Sequence, residues 1–178
     1  MSQPDQILED VWTSLLRATV DKRHDFRRVV LATYDSASIK QRIVLLRKVI
    51  KGKGVVVYTD ARSQKVEDLN IHPEVSLLFY HTKQKIQLSC RATAEDFKET
   101  VDISSWDERS LKDYTTSLTP GSPLGPDVDL TYDLSNAHFK ALYFRINSFD
   151  YLQLREEGHL RMLFETDGHS WSSQRLVP

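Results

Sequence analysis

Residues 42–65 read RIVLLRKVIKGKGVVVYTDARSQK. Two runs dominate the stretch, 43–49 and 55–59, both rich in β-branched and aliphatic side chains, and Lys51-Gly52-Lys53-Gly54 between them is a turn signal. That order predicts a β-hairpin. Past Thr59 the chain turns through Asp60-Ala61-Arg62 into SQKVEDLN, where Ser63 has the character of an N-cap and Val66 and Leu69 mark one face of a short helix. A hairpin puts Arg42 and Thr59 at the same open end, so the helix start at Ser63 faces Arg42. Free first-turn N–H groups, the positive end of the helix dipole, the cations Arg42 and Lys65 and the hydroxyls of Thr59 and Ser63 together predict a phosphate site. The same pattern also suits an ordinary buried hairpin whose flanking cations are solvated and whose serine only caps a helix.

Outward from this hairpin the chain reads as strand-rich. Strands are predicted over 28–34, 41–50, 55–59, 75–81 and 85–94, and again over 142–147, 151–154, 159–164 and 171–176. Such dense, short strands point to an antiparallel barrel or sandwich, mainly β with flanking helices. Ile7, Leu8, Val11, Trp12, Leu15 and Leu16 recur at helical spacing behind Pro4, which predicts an amphipathic helix over 4–19. Residues 96–116 are expected to be helical, with Phe97, Val101 and Trp106 as apolar points, and TPGSPLGPDVD at 119–129 is a Pro/Gly-rich loop placed to cover a site.

The 178 residues, 40% hydrophobic and 28% charged, fit one domain over 1–178. With 24 basic against 25 acidic residues and no long basic run, a nucleic-acid or polybasic membrane surface is not expected. The one cysteine, Cys90, lies in an alternating strand pattern and is expected to be a buried apolar group in a reducing compartment. No basic-then-apolar leader and no long apolar run is evident, so a cytoplasmic protein without membrane association is expected. The histidines show no paired metal spacing, and no metal site is expected.

The hairpin segment resembles the pyridoxamine 5′-phosphate oxidase family of flavoproteins, in the motifs RIVLLR, YT and SQK. The resemblance extends to LATYD at 31–35, HPEVSLLFYH at 72–81 and RMLFETDGHSWSSQRLVP at the end of the chain. It implies an FMN-binding split β-barrel that forms a homodimer, with FMN at the interface. By the same resemblance Arg42, Ser63 and Lys65 bind the flavin phosphate, Thr59 adds a hydroxyl, and the backbone of Val44, Leu45 and Leu46 follows the isoalloxazine ring. Ile43, Arg47, Tyr58 and Gln64 fall within the same motifs, and Arg161 falls on the family's C-terminal flavin arginine.

The substrate side departs from the family. Gln64 stands for an arginine, Arg47 for a lysine associated with substrate, and Leu152 for a tryptophan. The flavin-facing glutamine aligns with Lys85, Gln84 or Gln87. Glu157 replaces an arginine two residues before His159, the candidate catalytic residue, and the Tyr-x3-Arg-x3-Ser motif for a substrate phosphate has no match, Trp106, Arg109 and Tyr114 lying there in other spacing. The resemblance implies an FMN-dependent oxidoreductase that passes hydride from a small substrate to flavin N5. A flavin- or vitamer-binding protein without turnover, and a split barrel that binds haem or a partner protein, are the alternatives.

Overall fold

A computed structural model describes residues 2–178. Eight strands are present: β1 (Arg28–Tyr34), β2 (Ile39–Ile50), β3 (Gly54–Asp60), β4 (Glu74–His81), β5 (Ile86–Asp96), β6 (Phe139–Gln153), β7 (Leu160–Thr166) and β8 (Trp171–Leu176). With them run α1 (Gln3–Val20), α2 (Gln64–Ile71) and α3 (Glu108–Lys112). Every pairing is antiparallel, in the order β3-β2-β1-β4-β5-β6-β7-β8, and a further β3–β6 pairing closes the first six strands into a barrel.

The barrel splits at β6. One edge of this strand pairs with β5, while the other is shared: Phe139 to Arg145 pair with β3, and Ser148 to Gln153 pair with β7. One strand thus carries the barrel wall into the β7–β8 hairpin, where two shorter strands, 142–147 and 151–154, were expected. The polar Ser148 and Asp150 interrupt the apolar pattern but have partners across the sheet, in Arg91 and Arg161 respectively. Cross-strand pairing keeps such residues in a ladder.

Apolar side chains alternate inward along the barrel strands, and Val29, Leu31, Leu46, Leu77, Phe79, Leu88, Phe144 and Phe149 are fully buried. The α1 stripe of Val11, Trp12, Leu15 and Ala18 seals this core. Trp12 meets Phe149 edge-on at 5.1 Å, and Phe149 stacks on Trp171 of β8 at 5.2 Å. A capping box between Ser2 and Asp5 starts the helix.

Two expectations need correction. Residues 96–116 are helical only over Glu108–Lys112. Asp96 still belongs to β5, opposite Leu142; Asp102 then accepts from the N–H of Ser104 in a local turn, and Asp107 accepts from that of Ser110 as the N-cap of α3, so the helix begins only there. Lys85, placed at the start of a strand, has φ of 52° and sits in the β4–β5 turn.

Candidate functional site

At the β3–α2 junction Lys65 points back across the turn. Its Nζ donates to Thr59 Oγ1 and to Ser63 Oγ, each at 2.9 Å, and the two hydroxyls lie 3.2 Å apart. Ser63 occupies the N-cap position of α2, but its hydroxyl donates to Asp60 O at 2.7 Å and caps nothing. The Val66 N–H already donates to Ser63 O at 2.8 Å, which leaves the N–H groups of Gln64 and Lys65 at the start of α2 for a ligand. From β2, Arg42 enters the same groove, held by Nη1 donating to Thr33 Oγ1 at 2.6 Å, with Nη2 3.7 Å from the buried carboxylate of Asp68. Arg42, Ile43, Val44, Leu45, Arg47, Tyr58, Thr59, Ser63 and Lys65 all line this groove, whose volume is about 340 Å³.

The electrostatics are those of an anion site. Burial, then the neighbouring Arg42 charge, pulls the Lys65 pKa down, against the opposing pull of Asp60 and Asp68. Burial lowers Arg42 as well, offset by Asp68. Among the described residues Lys65 has no carboxylate within ion-pair distance, only two hydroxyl acceptors. A half-buried ammonium met only by dipoles is poised for an anion, so the donor set fits a phosphate group.

Other predicted residues lie elsewhere. The Gln64 side chain is turned away, donating to Glu67 and to Asp68. Leu46 is wholly in the core. Arg161 is on β7, its guanidinium forked onto Asp150 at 3.0 and 2.7 Å, and lines no part of this chain's groove. His159 sits in the turn before β7, where its Nδ1 accepts from the N–H of Arg155 at 3.2 Å. It is a turn residue outside the groove.

Sequence reasoning passed over Arg62 and Asp68. Arg62 forks onto Asp60 at 3.0 and 2.7 Å and also donates to Thr116 O at 2.9 Å, tying the β5–β6 connection to the groove rim. Burial would raise the Asp60 pKa, but the Arg62 hydrogen bonds outweigh it and hold the carboxyl low. Asp113, Tyr114 and Pro120 come from the same connection and complete the lining. No local signal marks them, because their approach depends on the path of residues 97–138.

Residues 9–95 match the family model described as pyridoxamine 5′-phosphate oxidase, FMN-binding domain. A pyridoxine/pyridoxamine 5′-phosphate oxidase from Caulobacter vibrioides is 30% identical over 76 residues, which are 43% of this chain and 34% of that protein. One of the same description from Prochlorococcus marinus is 37% identical over 67 residues, 38% of this chain and 30% of the relative. The match thus spans about a third of the length of these relatives. In fold, the chain is similar to a pyridoxamine 5′-phosphate oxidase-related, FMN binding protein from Nostoc punctiforme, with TM-score 0.74, 18% identity, and coverage of 95% and 96% of the two chains. It is also similar to PhzG from Burkholderia lata, solved with tetrahydrophenazine-1-carboxylic acid, with TM-score 0.73, 16% identity, and coverage of 100% of this chain and 94% of that one. The segment that matches the FMN-binding domain of pyridoxamine 5′-phosphate oxidase thus runs from within α1 to Glu95 of β5, and the split-barrel fold is similar along nearly the whole chain.

Proposed function

We propose that this chain is an FMN-dependent oxidoreductase in which a small substrate gives up hydride to flavin N5. The observation that carries the reading is Lys65, half-buried beside Arg42 and bonded only to the hydroxyls of Thr59 and Ser63. In this proposal Arg42, Lys65, Ser63 and Thr59 hold the phosphate of FMN. The β2 backbone at Val44 and Leu45, which lines the groove, offers N–H and C=O groups to the ring edge. Bound FMN supplies the two-electron chemistry, and the protein binds, orients and screens. The buried Cys90 accords with the reducing, cytoplasmic setting included in this reading.

Arg161 enters this proposal through a second copy of the chain. The outer barrel face exposes Ile39 at 71%, Ile43 at 66% and Tyr80 at 48%, an apolar surface beside the groove that suits a homodimer. With FMN at that interface, Arg161 of the second copy would complete the ring site. The test is absorbance of the purified protein before and after adding FMN, followed by anaerobic reduction with candidate amines. A protein that gains no flavin spectrum sinks the cofactor assignment. A second reading, an FMN-binding protein without turnover, is favoured by one observation: His159 lies outside the groove, so no catalytic residue is assigned. Flavin uptake without reduction by any substrate would select it.

A further inference from the structure

A second recess opens beside the cationic groove, shares Arg47, Tyr58, Asp113 and Tyr114 with it, and includes Trp106 in its wall. Its volume is about 330 Å³. Four rings form a cluster here. Tyr58 stacks on Trp106 at 5.6 Å with planes 28° apart, and Phe139 meets Tyr58, Trp106 and Tyr114 edge-on at 5.0, 5.3 and 5.3 Å. Another ring between Tyr58 and Trp106 would need two contacts of about 3.5 Å, more than their separation, so a flat ligand lies on the outside of the cluster.

The charges are unequal. Arg47 is the one cation among the described lining residues, against Asp107 and Asp113. Asp107 is engaged at the start of α3, accepting from Ser110 N at 2.7 Å. Arg47 stands at the β-bulge of β2, where the register to β3 slips between Leu46 and Lys48. A bulged residue leaves the ladder and its side chain is re-aimed. Here the guanidinium lies 5.6 Å over the Tyr58 ring, and no ion pair to it is present among the described residues. A planar fork on an aromatic wall matches a carboxylate through two parallel hydrogen bonds. A phosphate dianion would face one guanidinium and two carboxylates, a like-charge arrangement that selects against it.

Building on the flavin reading above, we propose that this recess binds a flat heteroaromatic monocarboxylate, its carboxylate on Arg47 and its ring against the rings of Tyr58, Trp106 and Tyr114 that line it, and discriminates against phosphate esters. The test is calorimetric titration of the FMN-loaded protein with indole-2-carboxylate, indole and pyridoxamine 5′-phosphate. The carboxylate should bind at least about tenfold tighter than indole, as one charged contact implies, and tighter than the phosphate ester. In Arg47→Met the preference for carboxylate over indole should vanish, and in Trp106→Leu both ligands should weaken together. Equal affinity for the carboxylate and indole, tighter binding of the phosphate ester, no heat with any ligand, or a preference that survives Arg47→Met overturns the proposal. FMN loading is read separately by absorbance, and if it fails the titrations are run on flavin-free protein. Failure of the cofactor reading appears as absent flavin, and failure of this one as absent carboxylate preference.

Discussion

Replacing Lys65 by methionine keeps an unbranched side chain and removes the charge. In the groove that charge is half-buried, pushed down in pKa by burial and by Arg42, and bonded at 2.9 Å to Thr59 and Ser63. One charge-assisted hydrogen bond to phosphate is worth roughly 1.5–3 kcal/mol. At about 1.4 kcal/mol per factor of ten, Lys65→Met should weaken FMN roughly 10- to 150-fold. Riboflavin has no phosphate, so its affinity should be unchanged. The flavin-free variant should be as stable as the parent or more so, since a desolvated cation has gone. Quenching titrations with FMN and riboflavin, and denaturant melts of the flavin-free proteins, measure all three quantities. Equal losses for FMN and riboflavin, or unaltered FMN affinity, would refute the assignment. The pH dependence has a definite sign. Because the folded pKa lies below the ordinary lysine value of 10.5, the unfolded chain holds the proton longer as pH rises. The destabilisation by Lys65 is therefore fully present below the lowered pKa and fades as pH climbs towards 10.5, so flavin-free stability gains from this group across that window. FMN affinity falls over the same window, because the phosphate needs the ammonium, and both trends should be missing in Lys65→Met.

Three further outcomes are expected. Gly54→Ala would place a Cβ 2.3 Å from Phe144 O and 2.6 Å from the Tyr143 ring, where β3 closes the barrel on β6, and should cost about 1–3 kcal/mol in a urea melt; an unmoved midpoint would contradict the closure described. Asp68→Ala removes a buried carboxylate that accepts from Thr33 at 2.9 Å and lies 3.7 Å from both Lys40 and Arg42, and should destabilise by about 1–3 kcal/mol while loosening Arg42, read as weaker FMN binding with riboflavin spared. Arg42→Ala and Arg161→Ala should each bind FMN poorly, yet unfolding and refolding them together should restore binding in part, because a mixed dimer holds one intact site; no recovery would rule out a site shared between copies.

The hairpin of β2 and β3 and the start of α2 were legible because their signals are local. A β-branched run, a Lys-Gly turn and a serine before a helix each act over a few residues, and Arg42, Thr59, Ser63 and Lys65 meet because short turns leave the chain little choice. The direction of the Gln64 side chain is also set locally, since its amide donates to Glu67 and Asp68 within its own helix. The helix expected over 96–116 shrank to α3 because apolar spacing alone does not weigh Asp102, bonded to Ser104 in its own turn, or Asp107, whose capping bond to Ser110 sets the helix start late. For β6, Ser148 and Asp150 read as a break until Arg91 and Arg161 are seen on the neighbouring strands.

By itself the sequence determined that this protein is a strand-rich, antiparallel chain with a cationic, hydroxyl-bearing turn suited to phosphate, since alternation and turn chemistry are properties of neighbouring residues. Tertiary structure alone decided what surrounds that turn. Arg47 is turned onto Tyr58 by a bulge, and Trp106, Tyr114 and Phe139 are brought together from residues far apart in the chain. Arg161 is held on Asp150, away from the groove of its own chain. Phe139 reaches Tyr58 where β6 pairs with β3, and Arg161 reaches Asp150 where β6 pairs with β7, long-range pairings that no short stretch of residues encodes.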